Sequence, residues 1–213
     1  MKTRYLLFAA LALAAAGLVF FWSASERGPQ IDLGPYDALG AAAAEEAVKL
    51  AAGKAQIVVM VRDTSPNSNV SVETELKAFQ EIIRKSRPGA DLAIERVPVS
   101  PMLMMSTGGG VPLDRLFATL AAHTNAAALV LFFALPGLDE SQIETLKNSG
   151  VKIIVVSSLR PAYKQFLEQQ AIHRAIVPRA DRPPAGSPTP RTWRERFAQE
   201  FILLTPADVP RLP

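Results

Sequence analysis

Residues 128–158, ALVLFFALPGLDESQIETLKNSGVKIIVVSS, read as strand, turn, helix, turn, strand. Leu129–Leu135 is wholly apolar, and Ile153–Val156 is rich in β-branched side chains. Runs without polar alternation fit strands covered on both faces, as in a parallel sheet between two helical layers. Pro136 and Gly137 break the first strand. Asp139 is a predicted N-cap, because its carboxylate can accept from the free N–H groups of a first helical turn, and Gln142 completes a capping box. Ile143 and Leu146 share one face, Lys147 sits in the last turn, and Gly150 suits the left-handed position after the helix. Two parallel strands need such a crossover, and it should be right-handed.

The flanking chain repeats this grammar. Upstream, Ile57–Val61 (IVVMV) is the first strand, and Arg62–Val72 is a polar loop. Glu73–Ser86 is a predicted helix with Leu76, Phe79, Ile82 and Ile83 on its apolar face. Asp91–Val99 carries Pro98 and suits an edge strand. Ser100–Val111, SPMLMMSTGGGV, is a long connection before a helix from Pro112 to about His123. Downstream, a helix is expected from Pro161, then a fifth strand at Arg174–Val177. Pro178–Pro190 is proline-rich and reads as an extended linker. Trp193–Glu200 suits one or two helical turns, and Phe201–Leu204 a last strand or a docking segment. Before the first strand, an alanine-rich helix from Asp37 to about Ala52 is expected to pack on the sheet edge. The predicted fold class is α/β: one Rossmann-like, doubly wound parallel sheet of five to six strands, in the order 2-1-3-4-5.

Residues 1–25 form a separate segment. Lys2 and Arg4 precede an apolar run from Tyr5 to Trp22, just long enough to span a bilayer as a helix. The expectation is a single-pass membrane anchor, with Phe20, Phe21 and Trp22 at the interface and the following domain outside the cytoplasm. The alternative is a signal peptide cleaved near Ser25, with Ser23 at position −3, releasing a periplasmic or secreted protein. The expected organisation is 1–25 anchor or signal, 26–37 spacer, 38–177 α/β domain and 178–213 proline-rich linker with a C-terminal docking segment.

The chain has 213 residues and a net charge of +3, most of it from Lys2 and Arg4. No dense basic stripe backs the alkaline balance, so nucleic acid is not an expected partner. There is no cysteine, which excludes disulfides, thiolate metal sites, cysteine nucleophiles and a lipidated cysteine anchor. His123 and His173 are the two histidines and lack metal-ligand spacing with acidic residues. No cofactor and no metal are expected.

The segments IVVMVRD, ETELKAFQEIIRKSRPG, AALVLFFA, DESQIETLKNSGVKIIVVSS and AIVPR together resemble a single lobe of the periplasmic binding-protein family, the type that binds sugars. The resemblance implies a ligand-binding lobe. Those proteins close two lobes over the ligand, and this chain has length for one. A bacterial receiver domain shares the topology but needs an acidic pair, an aspartate and a lysine where this chain has Arg62-Asp63, Ala134-Leu135 and Pro178-Arg179.

Ligands of such sheets bind beyond the carboxyl ends of the strands, where strand order reverses. The candidate ligand-binding residues are therefore Arg62, Asp63, Thr64 and Ser65 after strand one, with Pro136 and Ser157 opposite. Arg62 and Asp63 offer charge-assisted hydrogen bonds. Gly108, Gly109 and Gly110 precede a helix but lack a phosphate-loop or dinucleotide fingerprint. With Met102, Met104 and Met105 they form a candidate partner-facing loop, since methionine adapts to irregular apolar surfaces. The expected function is a non-enzymatic, membrane-anchored binding or interaction module outside the cytoplasm, for a small polar ligand or an envelope protein. The alternatives are a structural component of an envelope complex, or a hydrolase or transferase acting near Asp63.

Overall fold

Burial on two faces accounts for the order of the apolar runs. The computed structural model describes residues 31–51, 56–65, 68–156, 163–181 and 188–212. In chain order the elements are α1 Gly34–Leu50, β1 Gln56–Asp63, α2 Val70–Ser86, β2 Leu92–Pro98, α3 Pro101–Ser106, α4 Leu113–Ala122 and β3 Ala126–Leu131. There follow α5 Glu140–Asn148, β4 Lys152–Val156, α6 Lys164–Glu168, β5 Arg174–Pro178, α7 Trp193–Glu200, β6 Phe201–Leu204 and a 3-10 helix Pro206–Arg211. The strands form one sheet in the order β2-β1-β3-β4-β5-β6. All neighbours are parallel except β5 and β6.

Successive residues of each inner strand enter opposite cores. Ile57, Val59 and Val61 join Val130 and Ile154 beneath α1 and α2. Val58 and Met60 join Leu129, Leu131, Ile153 and Val155 beneath α4 and α5. Register aligns Val59 with Val130 and Val130 with Ile154, so each layer forms a continuous apolar row. This two-sided burial is what an unalternating strand encodes.

The crossover between β3 and β4 has the capping box expected for it. Asp139 accepts from the Gln142 N–H at 2.9 Å, and the Gln142 side chain accepts from the Asp139 N–H at 3.0 Å. Gly150 follows the helix with φ of 69°.

Three expectations are corrected. The sheet is mixed rather than wholly parallel. α7 ends beside the C-terminal end of β5, where the Arg179 N–H meets the Glu200 carbonyl at 2.8 Å. The chain thus re-enters the sheet from the end it left, and β6 runs antiparallel. Second, α1 lies across a sheet face, not on an edge. Ala43, Ala44 and Ala47 are buried against the strands, and Glu46 accepts from Arg174 Nε of β5 at 3.1 Å. Small side chains allow this approach. At Gly40 an added Cβ would sit 2.0 Å from the Glu75 carbonyl oxygen of α2. Third, the Met/Gly connection is not all loop. Ser100 caps the short helix α3, its Oγ accepting from the Leu103 N–H at 3.2 Å.

No helix among the described residues is long and apolar enough to cross a membrane. The run from Tyr5 to Trp22 lies outside them.

Candidate functional site

Strand order reverses between β1 and β3. At the carboxyl ends of these strands the chain encloses a cavity of about 240 Å³. Its walls come from five elements. Tyr36 and Leu39 stand in the first turns of α1, and Arg62 at the end of β1. Asn69, Ser71, Val72 and Glu75 belong to the start of α2, Phe132 follows β3, and Val156 ends β4.

Local bonding fixes this wall. Asn69 caps α2, its Oδ1 accepting from the Ser71 and Val72 N–H groups at 3.1 and 3.3 Å. The Phe132 N–H donates to the Met60 carbonyl at 3.0 Å, and its ring meets Phe79 edge-on at 5.9 Å. The aromatic floor is therefore held by both backbone and core.

The cavity wall carries a guanidinium and a carboxyl group. Arg62 Nε is buried with no hydrogen-bond partner among the described residues. Glu75 projects from the apolar side of α2, and its carboxyl is pushed up to about 7 by burial, against the opposing pull of Arg62. Neither a hydrogen bond nor an ion pair joins the two side chains. A buried polar atom without a partner is uncommon and costly, and such groups concentrate where a ligand completes the bonding.

Of the residues singled out in the sequence, Arg62 lines this cavity. Asp63, Thr64 and Ser65 form a separate surface network. The Asp63 carboxylate accepts from the Ser65 N–H at 3.0 Å and from its hydroxyl at 2.7 Å. These bonds, with Arg96 nearby, hold it below the usual carboxylate range. Thr64 Oγ1 donates to Glu73 at 2.9 Å, and Arg96 of β2 grips Glu73 with two bonds of 2.8 and 3.0 Å. Pro136 lies against Gly110, where an added Cβ would stand 3.2 Å from the Pro136 nitrogen. Ser157 lies outside the described residues.

The Met/Gly segment forms a pinned turn. The Gly109 N–H donates to the Met104 carbonyl at 2.8 Å, and Gly108 and Gly109 have φ of 58° and 80°. Gly110 bridges Ala134, next to a bond from the Val111 N–H to the Ala134 carbonyl at 2.9 Å. Met102 and Met105 stand 81% and 85% exposed, while Met104 is partly covered.

His123 closes α4 and bridges Gln56 and Glu95 at 2.9 and 3.0 Å. His173 accepts from the Ile153 N–H through Nδ1 at 3.2 Å and faces Lys152 at 3.1 Å. Both tie neighbouring elements together.

A wider groove of about 820 Å³ runs between α4 and α5 on the other face. Its one charged lining residue, Glu144, bonds to Lys147 at 3.3 Å. It lacks an unsatisfied group, and it is not at the reversal of strand order. The smaller cavity is the stronger candidate on both counts.

Glu75, Tyr36 and Leu39 were missed from sequence. A signal for Glu75 existed: it lies three residues from Val72 and four from Phe79, so it occupies the buried stripe of α2. A carboxylate at such a position calls for a buried partner.

No protein-family model and no curated protein matches the chain. Solved structures do. A LacI transcriptional regulator from Bacteroides fragilis superimposes with a TM-score of 0.55 at 12% identity, over 84% of this chain and 62% of that one. An arabinose-binding protein from Geobacillus stearothermophilus gives 0.52 at 14% identity, over 84% and 63%. A sugar-binding protein of a sugar ABC transporter from Bacillus halodurans gives 0.52 at 11% identity, over 82% and 63%. The chain thus spans less than two thirds of the length of these structures. In fold, the chain resembles a single lobe of the sugar-type periplasmic binding proteins.

Proposed function

We propose that the protein is an extracytoplasmic module that binds a small polar ligand in the cavity between α1, α2 and the ends of β1, β3 and β4. The observation that carries this reading is Arg62 Nε, buried in that cavity without a partner among the described residues. A ligand acceptor would complete its bonding, and a charge-assisted bond is roughly twice as strong as a neutral one. The size of the cavity, below the roughly 300 Å³ at which drug-sized pockets begin, favours a ligand of one ring or a short chain. The fold supports the same reading, since ligands of open parallel sheets sit at this reversal.

The role is non-catalytic. Asp63, the residue that chemistry in the crevice would call on, has its carboxylate engaged by Ser65 and is not part of the cavity wall. Residues 5–22 tether the domain to the membrane, with the basic N-terminus inside. The exposed Met102 and Met105 offer a contact for an envelope partner.

The test is a thermal-shift screen of the full chain with monosaccharides, nucleotides and amino acids, repeated on Arg62→Met. A ligand present at about a hundred times its dissociation constant adds about 2.7 kcal/mol. The expected result is a compound that raises the melting temperature of the parent and leaves Arg62→Met unmoved. A screen without such a compound, or with hits indifferent to Arg62, rejects the site. Recovery of the chain in alkaline-washed membranes checks the tether; a soluble product starting near Glu26 would refute it.

A further inference from the structure

Resting on that reading of the cavity, we infer that its ligand is a small zwitterion, with a carboxylate bound to Arg62 and an ammonium group bound to Glu75. The cavity wall offers a cation and an acid that do not bond to each other. A guanidinium nitrogen and a carboxyl group withdrawn from water are each costly without an opposite charge or a hydrogen-bonding group. A neutral polyol can bond to both but leaves the acid protonated. A dicarboxylate satisfies Arg62 and repels Glu75. A simple amine does the reverse. A molecule with both charges on one short frame answers both side chains at once.

The rest of the wall agrees with a small backbone-like ligand. Phe132, Val72, Leu39 and Val156 supply an apolar lining that admits little beyond a short side chain. The polar groups that line the cavity with Glu75 are Arg62 from β1, Tyr36 from α1, and Asn69 and Ser71 at the start of α2. The residues contributed by β4 and by the chain after β3 are Val156 and Phe132, which carry no charge. With the Glu75 carboxyl pushed up to about 7, its fraction ionised rises about tenfold between about pH 6 and about pH 8. The ammonium and carboxylate of glycine do not titrate in that window.

The experiment is calorimetric titration of the full chain with glycine, L-serine and L-proline, set against D-ribose, L-arabinose, acetate and ethylamine. The expected result is binding of at least one zwitterion and of none of the single-charge probes. Affinity should rise up to about tenfold from about pH 6 to about pH 8 as Glu75 ionises. It should fall at least about tenfold in Glu75→Gln, which should also lose the pH dependence, and should vanish in Arg62→Met. Far-ultraviolet circular dichroism of both variants checks folding. If Glu75→Gln fails to fold, the pH profile of the unmodified chain decides. Binding of a sugar that depends on Arg62, with no zwitterion bound, overturns this inference and leaves the cavity reading standing. Binding of neither class, with no Arg62-dependent hit among the nucleotides either, overturns both.

Discussion

Replacing Glu75 by glutamine should stabilise the protein at alkaline pH and do almost nothing at acidic pH. The carboxyl is pushed from 4.5 to about 7 by burial, with Arg62 acting against that rise. Between those values the unfolded chain has released the proton and the folded chain keeps it. The folded state therefore binds more protons, and stability falls as pH rises through that window. A tenfold change in an ionisation equilibrium is worth about 1.4 kcal/mol, so the full penalty of the ionised form is about 3 kcal/mol above about pH 7.5. Glutamine has a similar shape and no proton to lose. For a chain of this size one kcal/mol moves the melting temperature by roughly 2–4 °C. Glu75→Gln should therefore melt roughly 6–12 °C above the parent near pH 8.5 and level with it near pH 4.5. Calorimetric melting across that pH range, without ligand, reads the effect. Two parallel curves would refute the argument, because they would place the carboxyl in water rather than in the cavity.

Two further substitutions probe other parts of the fold. Gly40→Ala replaces a poor helix former by the best one, a gain of about 1 kcal/mol in an isolated helix. Here the new Cβ would meet the Glu75 carbonyl oxygen at 2.0 Å, so α1 and α2 must part and the net effect should be a loss of roughly 2 kcal/mol or more. A circular-dichroism melt at or above the parent temperature would contradict the close crossing. His173 is pulled down from 6.5 to about 4, first by burial and then by Lys152 and Arg174. The unfolded chain takes up a proton that the folded chain refuses, so stability is lost as pH falls from about 6.5 towards 4. Because the ring is only partly buried, the loss should be roughly 1–2 kcal/mol, and His173→Gln should flatten the acid limb of the stability curve. An unchanged acid limb in urea titrations would remove His173 from the account.

The inner sheet was legible for a plain reason. β1, β3, β4 and β5 are buried on both sides, so their runs carry no polar interruption, and the turn residues between them are chemically specific. Asp139, Gln142 and Gly150 do in three dimensions what their types demand. The position of α1 was harder to read. Alanine is small enough for an edge or a face, and only Gly40 and the buried Glu46 mark the close approach. The direction of β6 depends on where α7 finishes, a tertiary fact absent from FILL itself. The site divided along similar lines. Arg62 reaches the cavity wall because it lies at the end of a strand, a position the sequence shows. Its neighbour Asp63 shares that position but turns to Ser65, an outcome set by a local hydrogen bond two residues on. Glu75 was hidden inside a stripe of apolar residues, and Arg96 reaches Glu73 only through the pairing of β2 with β1.

The contact between α1 and α7 has a consequence for how the chain is made. α1 is the earliest described helix, yet its outer side meets one of the latest, where Arg194 pairs with Glu45 and Trp193 and Phe197 pack against the α1 core. β6, later still, closes the free edge of β5. During synthesis, one side of α1 and one sheet edge stay uncovered until nearly the last residues arrive. Contacts so distant in sequence slow folding, because the loop must be closed before they return any energy. The emerging chain is thus sticky for most of its synthesis, and a product cut short before Trp193 would keep that side of α1 and the β5 edge open to aggregation.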